Sequence, residues 1–503
     1  MKCNVPKTFG RRVRVKLFNV LILSIVLLCS FSDEDKEVYL QRNDCELLRN
    51  MLTQKEGKLD IHVPQDSVSL AFDNLYANLD VELPFMELFR QFGKAVSTIQ
   101  CGHTRLWPSG RVFGEWNSER LSLPCDYVLV GKKLFVSDLV KEDIKKVNFG
   151  KRKSQQKNLP KNAEIIAIDG ETVPKMMRRI GEFISSDENG IDYKYSNATH
   201  FFEFFRNVAY RDRKDSIEVI YSAKRDTARI YLYTGYPPIN SIKKRLDKLE
   251  TQSKKDLKNI GKYSVIKSKY AYFKFVSFYA CHGANYEKFL ATSFKDISKK
   301  EIKKLIVDVR GNPGGQLQSS FMKYIVGSNK LLGKYEHNKS FKRFTNKYLQ
   351  KHNAFYRNYK KSSRINKRFK RKHPEYDSEI YTGYVDSDLI FEGEIIVLTD
   401  EGSFSAASLL ACHLKTLAKA KIVGQPAGGS FFCGNTGGLE MVLPYTKFSV
   451  MINPFTFWSH LPLQQNPQTI KQPDLFIEPI NPKMGKKDDW FVTKAIQGFF
   501  IGK

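Results

Sequence analysis

Cysteine is sparse in this chain: there are eight in 503 residues, and no two form a Cys-x-x-Cys pair. That excludes the paired-thiol spacing of structural zinc sites. The six beyond residue 32 (Cys45, Cys101, Cys125, Cys281, Cys412 and Cys433) are too few for a disulfide scaffold, although one or two bridges stay open in an exported protein. Acidic residues are also in deficit, 53 against 82 Lys and Arg, which leaves a net charge of +29. Such a surplus ordinarily raises nucleic acid or an anionic surface as partner. Here the charge is spread, with one concentration at 334–372, and no nucleic-acid motif accompanies it. We read no nucleic-acid partner and a solvated basic insertion; a lid, a dock for anionic envelope polymers and recognition of acidic substrates are the sharper alternatives.

Long apolar runs are missing too. A membrane helix needs about 20 apolar residues, and Leu17–Leu28 is short of that and broken by Asn19 and Ser24. It follows a cationic stretch (Lys2, Lys7, Arg11, Arg12, Arg14, Lys16) and precedes Ser30-Phe31-Ser32, the arrangement of a signal peptide over residues 1–32. Cys29 closes the run and offers a lipid acceptor, so membrane association through lipidation, plain secretion and an uncleaved anchor all stay open. The location expected is outside the cytoplasm: periplasmic, outer-membrane lipoprotein or extracellular.

What is present is ample core material, 42% hydrophobic and 13% aromatic residues, enough for two or three domains. Apolar residues at helical spacing predict helices within 33–60, 67–79 and 84–98, read as an N-terminal helical cap over 33–110 that ends in the Cys101-Gly102-His103-Thr104 loop. Residues 111–258 read as a β-rich middle region, and NAEIIAIDGETV (162–173) resembles the turn of a PDZ module, an intact or degenerate binder of extended peptides. From 259 to 503, strands and helices alternate at the spacing of βα units around a mostly parallel sheet, interrupted by the basic insertion.

Two joints in that last region carry chemistry. The β-branched run Ile395–Leu398 ends in Thr399-Asp400-Glu401-Gly402, and an Ala/Leu-rich helix follows, with Ser405 between them. A helix's first turn has backbone N–H groups without intrahelical partners and favours negative charge, which suits an attacking hydroxyl and a developing oxyanion. A serine there ordinarily caps the helix. The second joint, Gly311-Asn312-Pro313-Gly314-Gly315, ends the buried strand 304–309, with Asp308 and Arg310 placed to brace it. Glycines let backbone amides approach a ligand without a Cβ in the way. His103, after a helix and a glycine, stands where a loop could present it to a cleft.

VDVRGNPGG (307–315) resembles the Asp-Leu-Arg-x-Asn-x-Gly-Gly turn of the tail-specific, or C-terminal-processing, serine proteases, and TDEGSFSAAS (399–408) resembles their Ser-x-Ser-Ala-x-Glu nucleophile segment. YAYFKFVSF (270–278) and VGQPAGGS (423–430) follow the family's order, with CGHT upstream. The resemblance implies an α/β, crotonase-like core, polypeptide cleavage, no cofactor and no metal. It implies Ser405 as nucleophile and an oxyanion hole from Gly314 or Gly315 with the Ala406 amide. Where many members carry a lysine base, this chain has Ser430, and Ser408 stands where they have glutamate. A branch similar to tricorn core protease relatives uses a distant histidine, which makes His103 the general base, with His460 as a competitor. That branch's acid is absent, for no Asp or Glu lies between Met441 and Pro473; Glu440, Asp474 or an amide are the orienting groups left, or there is none. The expectation is an exported serine endopeptidase cleaving extended or unfolded polypeptides; the alternative is a catalytically silent envelope scaffold binding peptide or glycan.

Overall fold

The computed structural model describes residues 33–108, 123, 125, 127–137, 159–200, 202–210, 214–224, 226–235, 261–279, 284–315, 319–337, 379–460, 470–478 and 488–501. The leader, with Cys29, and residues 338–372 of the basic insertion lie outside them.

Six strands form the sheet that carries Ser405, in the spatial order Leu475–Phe476, Lys421–Gly424, Glu394–Thr399, Lys304–Asp308, Tyr270–Phe275 and Gly261–Ile266. All neighbours run parallel except the last pair, which is antiparallel. Both faces are covered, so the strands are apolar in both phases of their alternation. Leu305, Val307, Ile395 and Val397 pack with helices Ala284–Lys299, Ser319–Val326 and Ala406–Ala418, while Ile306, Ile396 and Leu398 pack with the C-terminal helix Asp488–Ile496. The turns after Asp308 and Thr399 leave the same end of adjacent strands, paired Asp308 to Leu398. The carboxyl ends of parallel strands are where such sheets hold ligands.

The N-terminal helices form part of a second core. Asp33–Lys55, Gln65–Ala77 and Phe85–Ser97 bury Leu48, Phe72, Phe89 and Phe92 together with Leu134, Ile165 and Val219 of the middle region and Met441, Phe448 and Val450 of the C-terminal half. Phe448 sits among Phe85, Phe89 and Phe92 at ring distances of 5.2–5.7 Å, each such pair contributing about 1 kcal/mol beyond its area. The reason is register: Leu106–Pro108, directly after the His103 loop, pairs antiparallel with Phe448–Val450. The chain's beginning is thereby stitched to its last third.

The middle region is an antiparallel sheet, Tyr127–Val130, Lys133–Val136, Glu164–Ile168, Ser216–Ala223 and Asp226–Tyr233. Its predicted Asp-Gly turn is real: Asp169 and Gly170 both have positive φ (49° and 77°), the pair a tight hairpin requires. Helices Ile191–His200 and Phe202–Tyr210 were not expected from the sequence. Their apolar residues (Tyr193, Tyr195, Phe202, Phe204, Phe205) come in clusters rather than a clean stripe. A last sheet orders Glu379–Tyr381, Leu331–His337, Phe455–Ser459 and Cys433–Thr436. No helix among the described residues is long and apolar enough to cross a membrane.

Candidate active site

Ser405 has φ 56° and ψ −122°, a conformation costing a residue with a Cβ about 1–3 kcal/mol. The surroundings impose it. Phe404 N–H donates to Asn312 O at 2.9 Å, the Ser403 hydroxyl donates to Val309 O at 2.9 Å, and Ser403 O accepts from Gly428 N–H at 3.0 Å and the Ser408 hydroxyl at 2.9 Å. Ser408, in the family's glutamate position, therefore ties down the loop that aims Ser405. Ser405 itself makes no capping bond. Its hydroxyl stands 3.0 Å from His103 Nε2.

The glycine turn abuts this elbow. Gly314 has φ +90°, and a Cβ there would lie 2.6 Å from Ser405 Cβ and 2.9 Å from Ala406 N. Asn312 is the turn's internal strut, fully buried, its amide donating to Phe275 O at 3.2 Å and its Oδ1 accepting from Gly314 N–H at 2.8 Å. Of the two alternatives expected, Gly314 or Gly315, the Gly314 amide is already engaged by that bond. Asp308 and Arg310 brace the turn as expected, through 3.0 and 2.6 Å hydrogen bonds, with Lys274 3.1 Å from the same carboxylate. Burial pushes the Asp308 carboxyl up, but Arg310 and Lys274 more than offset this and hold it below its usual range.

His103 reaches Ser405 from the other core. Its ring packs on Phe404 at 4.8 Å, and Phe404 stacks in turn on Tyr193 at 4.4 Å. Gly102 N–H donates to Asp187 Oδ1 at 2.7 Å, and Ser430 N–H to Asp187 Oδ2 at 3.0 Å. One buried carboxylate thus joins the histidine loop to the turn after Gly424. Ring nitrogen, Cys101 Sγ and an Asp187 oxygen all lie within 4.8 Å of one another. No other group of three such donors comes as close among the described residues. Both Asp187 oxygens already accept amides and Nε2 already meets the serine, an arrangement suited to acid–base chemistry, and we assign no cation to it. Burial pushes the His103 pKa down, Asp187 opposes that, and Arg105 adds to it.

Behind the loop, Thr104 donates its hydroxyl to Glu56 Oε1 at 2.7 Å, and Asn453 N–H donates to Glu56 Oε2 at 2.9 Å. Burial pushes Glu56 up to about 7, these donors only partly countering it. Between its ordinary value of 4.5 and about 7 the native carboxyl keeps a proton the unfolded chain has lost, so stability falls as pH rises through that window, by on the order of 3 kcal/mol. Glu56→Gln, neutral throughout, removes this decline. Thermal unfolding at pH 5 and pH 8 reads it, and an undiminished decline in the variant counts against the assignment.

The expected orienting acids are elsewhere. Glu440 accepts the Ser449 hydroxyl at 2.6 Å within its own hairpin. Asp474 accepts Ile422 N–H at 2.9 Å and pairs with Lys415 and Lys421 at 3.3 Å, serving the sheet edge. Neither set of bonds reaches the Cys101–Thr104 loop. His460 is exposed at the end of its strand. Asp187 went unnoticed because Ser185-Ser186-Asp187-Glu188-Asn189-Gly190 reads as a solvated polar turn. Its one sequence signal, a polar turn between two apolar runs, is common to surface loops.

Residues 269–440 match the model of peptidase family S41. The chain carries an S41 peptidase segment that includes the glycine turn and Ser405. It is a serine-type peptidase of the tail-specific group. No curated protein sequence matches it. Among solved structures it is similar to mature CPAF complexed with lactacystin, with TM-score 0.56 and 11% identity over 88% of this chain and 94% of that one. A crystal structure of mature CPAF gives TM-score 0.54 and 11% identity over 88% and 93%. At that identity the likeness is one of fold. Photosystem II D1 C-terminal processing protease is more distant, at TM-score 0.38 and 12% identity over 88% and 94%.

Proposed function

We propose that this S41 peptidase is an exported endopeptidase that cleaves extended or unfolded polypeptides, with Ser405 as nucleophile and His103 as general base. The observation that carries the reading is the 3.0 Å approach of the Ser405 hydroxyl to His103 Nε2, made by residues on loops beside two separate cores. Burial keeps the imidazole neutral at pH 7, with a free lone pair at Nε2. As Ser405 attacks a scissile carbonyl, Nε2 takes the hydroxyl proton and later returns it to the leaving amine. Gly315 and Ala406 amides are the proposed donors to the tetrahedral oxyanion. The strained backbone of Ser405 supports the same reading, since such strain concentrates at functional positions. The middle sheet, with its Asp-Gly turn, is proposed as a PDZ-like, degenerate peptide-holding module, and the leader as the export signal.

A fluorophosphonate probe tests the chemistry. Folded protein becomes labelled, peptide mapping places the adduct on Ser405, and the rate falls in acid with a midpoint below the ordinary histidine value of 6.5, because neutral His103 persists to lower pH. Absence of labelling in folded protein favours the silent scaffold.

A further inference from the structure

We propose that Asp187 is the positioning residue for His103, the carboxylate that takes the place of the missing acid downstream of the serine; this rests on the Ser405–His103 reading above. Three observations meet here. Asp187 is 2% exposed, and its two oxygens accept the amides of Gly102 and Ser430, so it fixes the backbone beside His103 itself. A carboxylate oxygen lies within 4.8 Å of a ring nitrogen, and since Nε2 faces Ser405, Nδ1 is the nitrogen on which an acid would act. Nδ1 is buried without a hydrogen-bond partner.

A buried ring nitrogen with no partner is costly, and the cost rises when the ring becomes an imidazolium during attack. A negative charge within 5 Å in a water-poor site offsets it, and the separation can tighten when the transition state forms. The turn that holds Asp187 is itself strained, with Glu188 and Asn189 at φ 53° and 58°. Glu188 accepts the Ser430 hydroxyl at 2.7 Å and lies 3.4 Å from Lys471, so the turn is fastened on both sides. Ser430 occupies the position of the family's lysine, and here that position serves to anchor the carboxylate.

The groups around the ring are Asp187 from the turn, Arg105 and Cys101 from its own loop, Tyr193 behind Phe404, and Glu56 behind Thr104. Of these, Asp187 favours the charged ring and Arg105 opposes it. Removing the Asp187 charge therefore lowers the pH at which His103 protonates, while weakening the ring's orientation.

The experiment is the pH dependence of fluorophosphonate labelling in the full chain. Asp187→Asn is expected to slow the plateau rate roughly a hundredfold or more and to move the acid midpoint to lower pH. Asp187→Glu restores the midpoint. If Asp187→Asn does not fold, by circular dichroism, Asp187→Ser with added formate replaces it, and recovery of rate with formate is the supporting result. A plateau within threefold of wild type and an unmoved midpoint, or no formate rescue, overturns the proposal while Ser405→Ala and His103→Ala still decide the underlying reading. Wild-type protein that labels at the same rate as Ser405→Ala removes both.

Discussion

Ser405→Ala is expected to abolish fluorophosphonate labelling, and His103→Ala to slow it by roughly a hundred- to ten-thousandfold, the span attributed to a positioned general base. The two losses differ in kind. Without the hydroxyl there is no nucleophile, whereas without the imidazole the hydroxyl still sits at the elbow beside its amides. Both variants should keep the wild-type unfolding temperature within a few degrees, because Ser405 makes no capping bond and its backbone is held by Ser403, Asn312 and Ser408. His103→Ala that labels at the wild-type rate would exclude the imidazole as base. Should both variants unfold, the comparison can be repeated with Ser405→Cys, whose thiol reports on the same imidazole through its alkylation rate.

Gly314→Ala should be nearly as damaging by a different route. The added methyl would stand 2.6 Å from Phe404 O and from Ser405 Cβ, at a φ of +90°. Strain and overlap together cost about 2–4 kcal/mol, and the overlap falls on the serine itself. Labelling is therefore lost while the sheet, whose core lies beneath the turn, stays folded. Gly311→Ala is the control. That position also has positive φ, but no heavy atom lies within 4 Å of its would-be Cβ, so it should lose stability of about 1 kcal/mol and keep labelling. Equal loss in the two variants would mean that the turn's conformation matters and its closeness to Ser405 does not.

The four inner strands of the parallel sheet were legible because each announces itself, whereas the edge strands Gly261–Ile266 and Leu475–Phe476 were not. KLIVDV and EIIVLT are short, β-branched and bounded by turn residues, and the runs between them carry helical spacing. Lys421–Gly424 was placed to the residue. What the N-terminal helices pack against was not legible, for a reason local pattern cannot repair. An amphipathic helix such as Phe85–Ser97 shows that it buries a face, not what it buries it against; here the partner is Phe448, far along the chain. The last sheet and the helices at 191–210 were missed because their apolar residues show neither period over enough length.

The sequence by itself determined which residues could react. A serine between a β-branched strand and an Ala/Leu-rich helix, a glycine turn after the neighbouring strand and a histidine after a glycine are local features, dictated by backbone and side-chain chemistry within a few residues. The tertiary structure alone decided which of them meet and what surrounds them. Pairing of Leu106–Pro108 with Phe448–Val450 carries the histidine loop to the serine, Asn312 takes the Gly314 amide out of the donor set, and Asp187, invisible as one acid in a polar turn, is buried beside the imidazole. Proximity across hundreds of residues is fixed by strand register and by two hydrophobic cores closing on each other, and neither is written in any short stretch of chain.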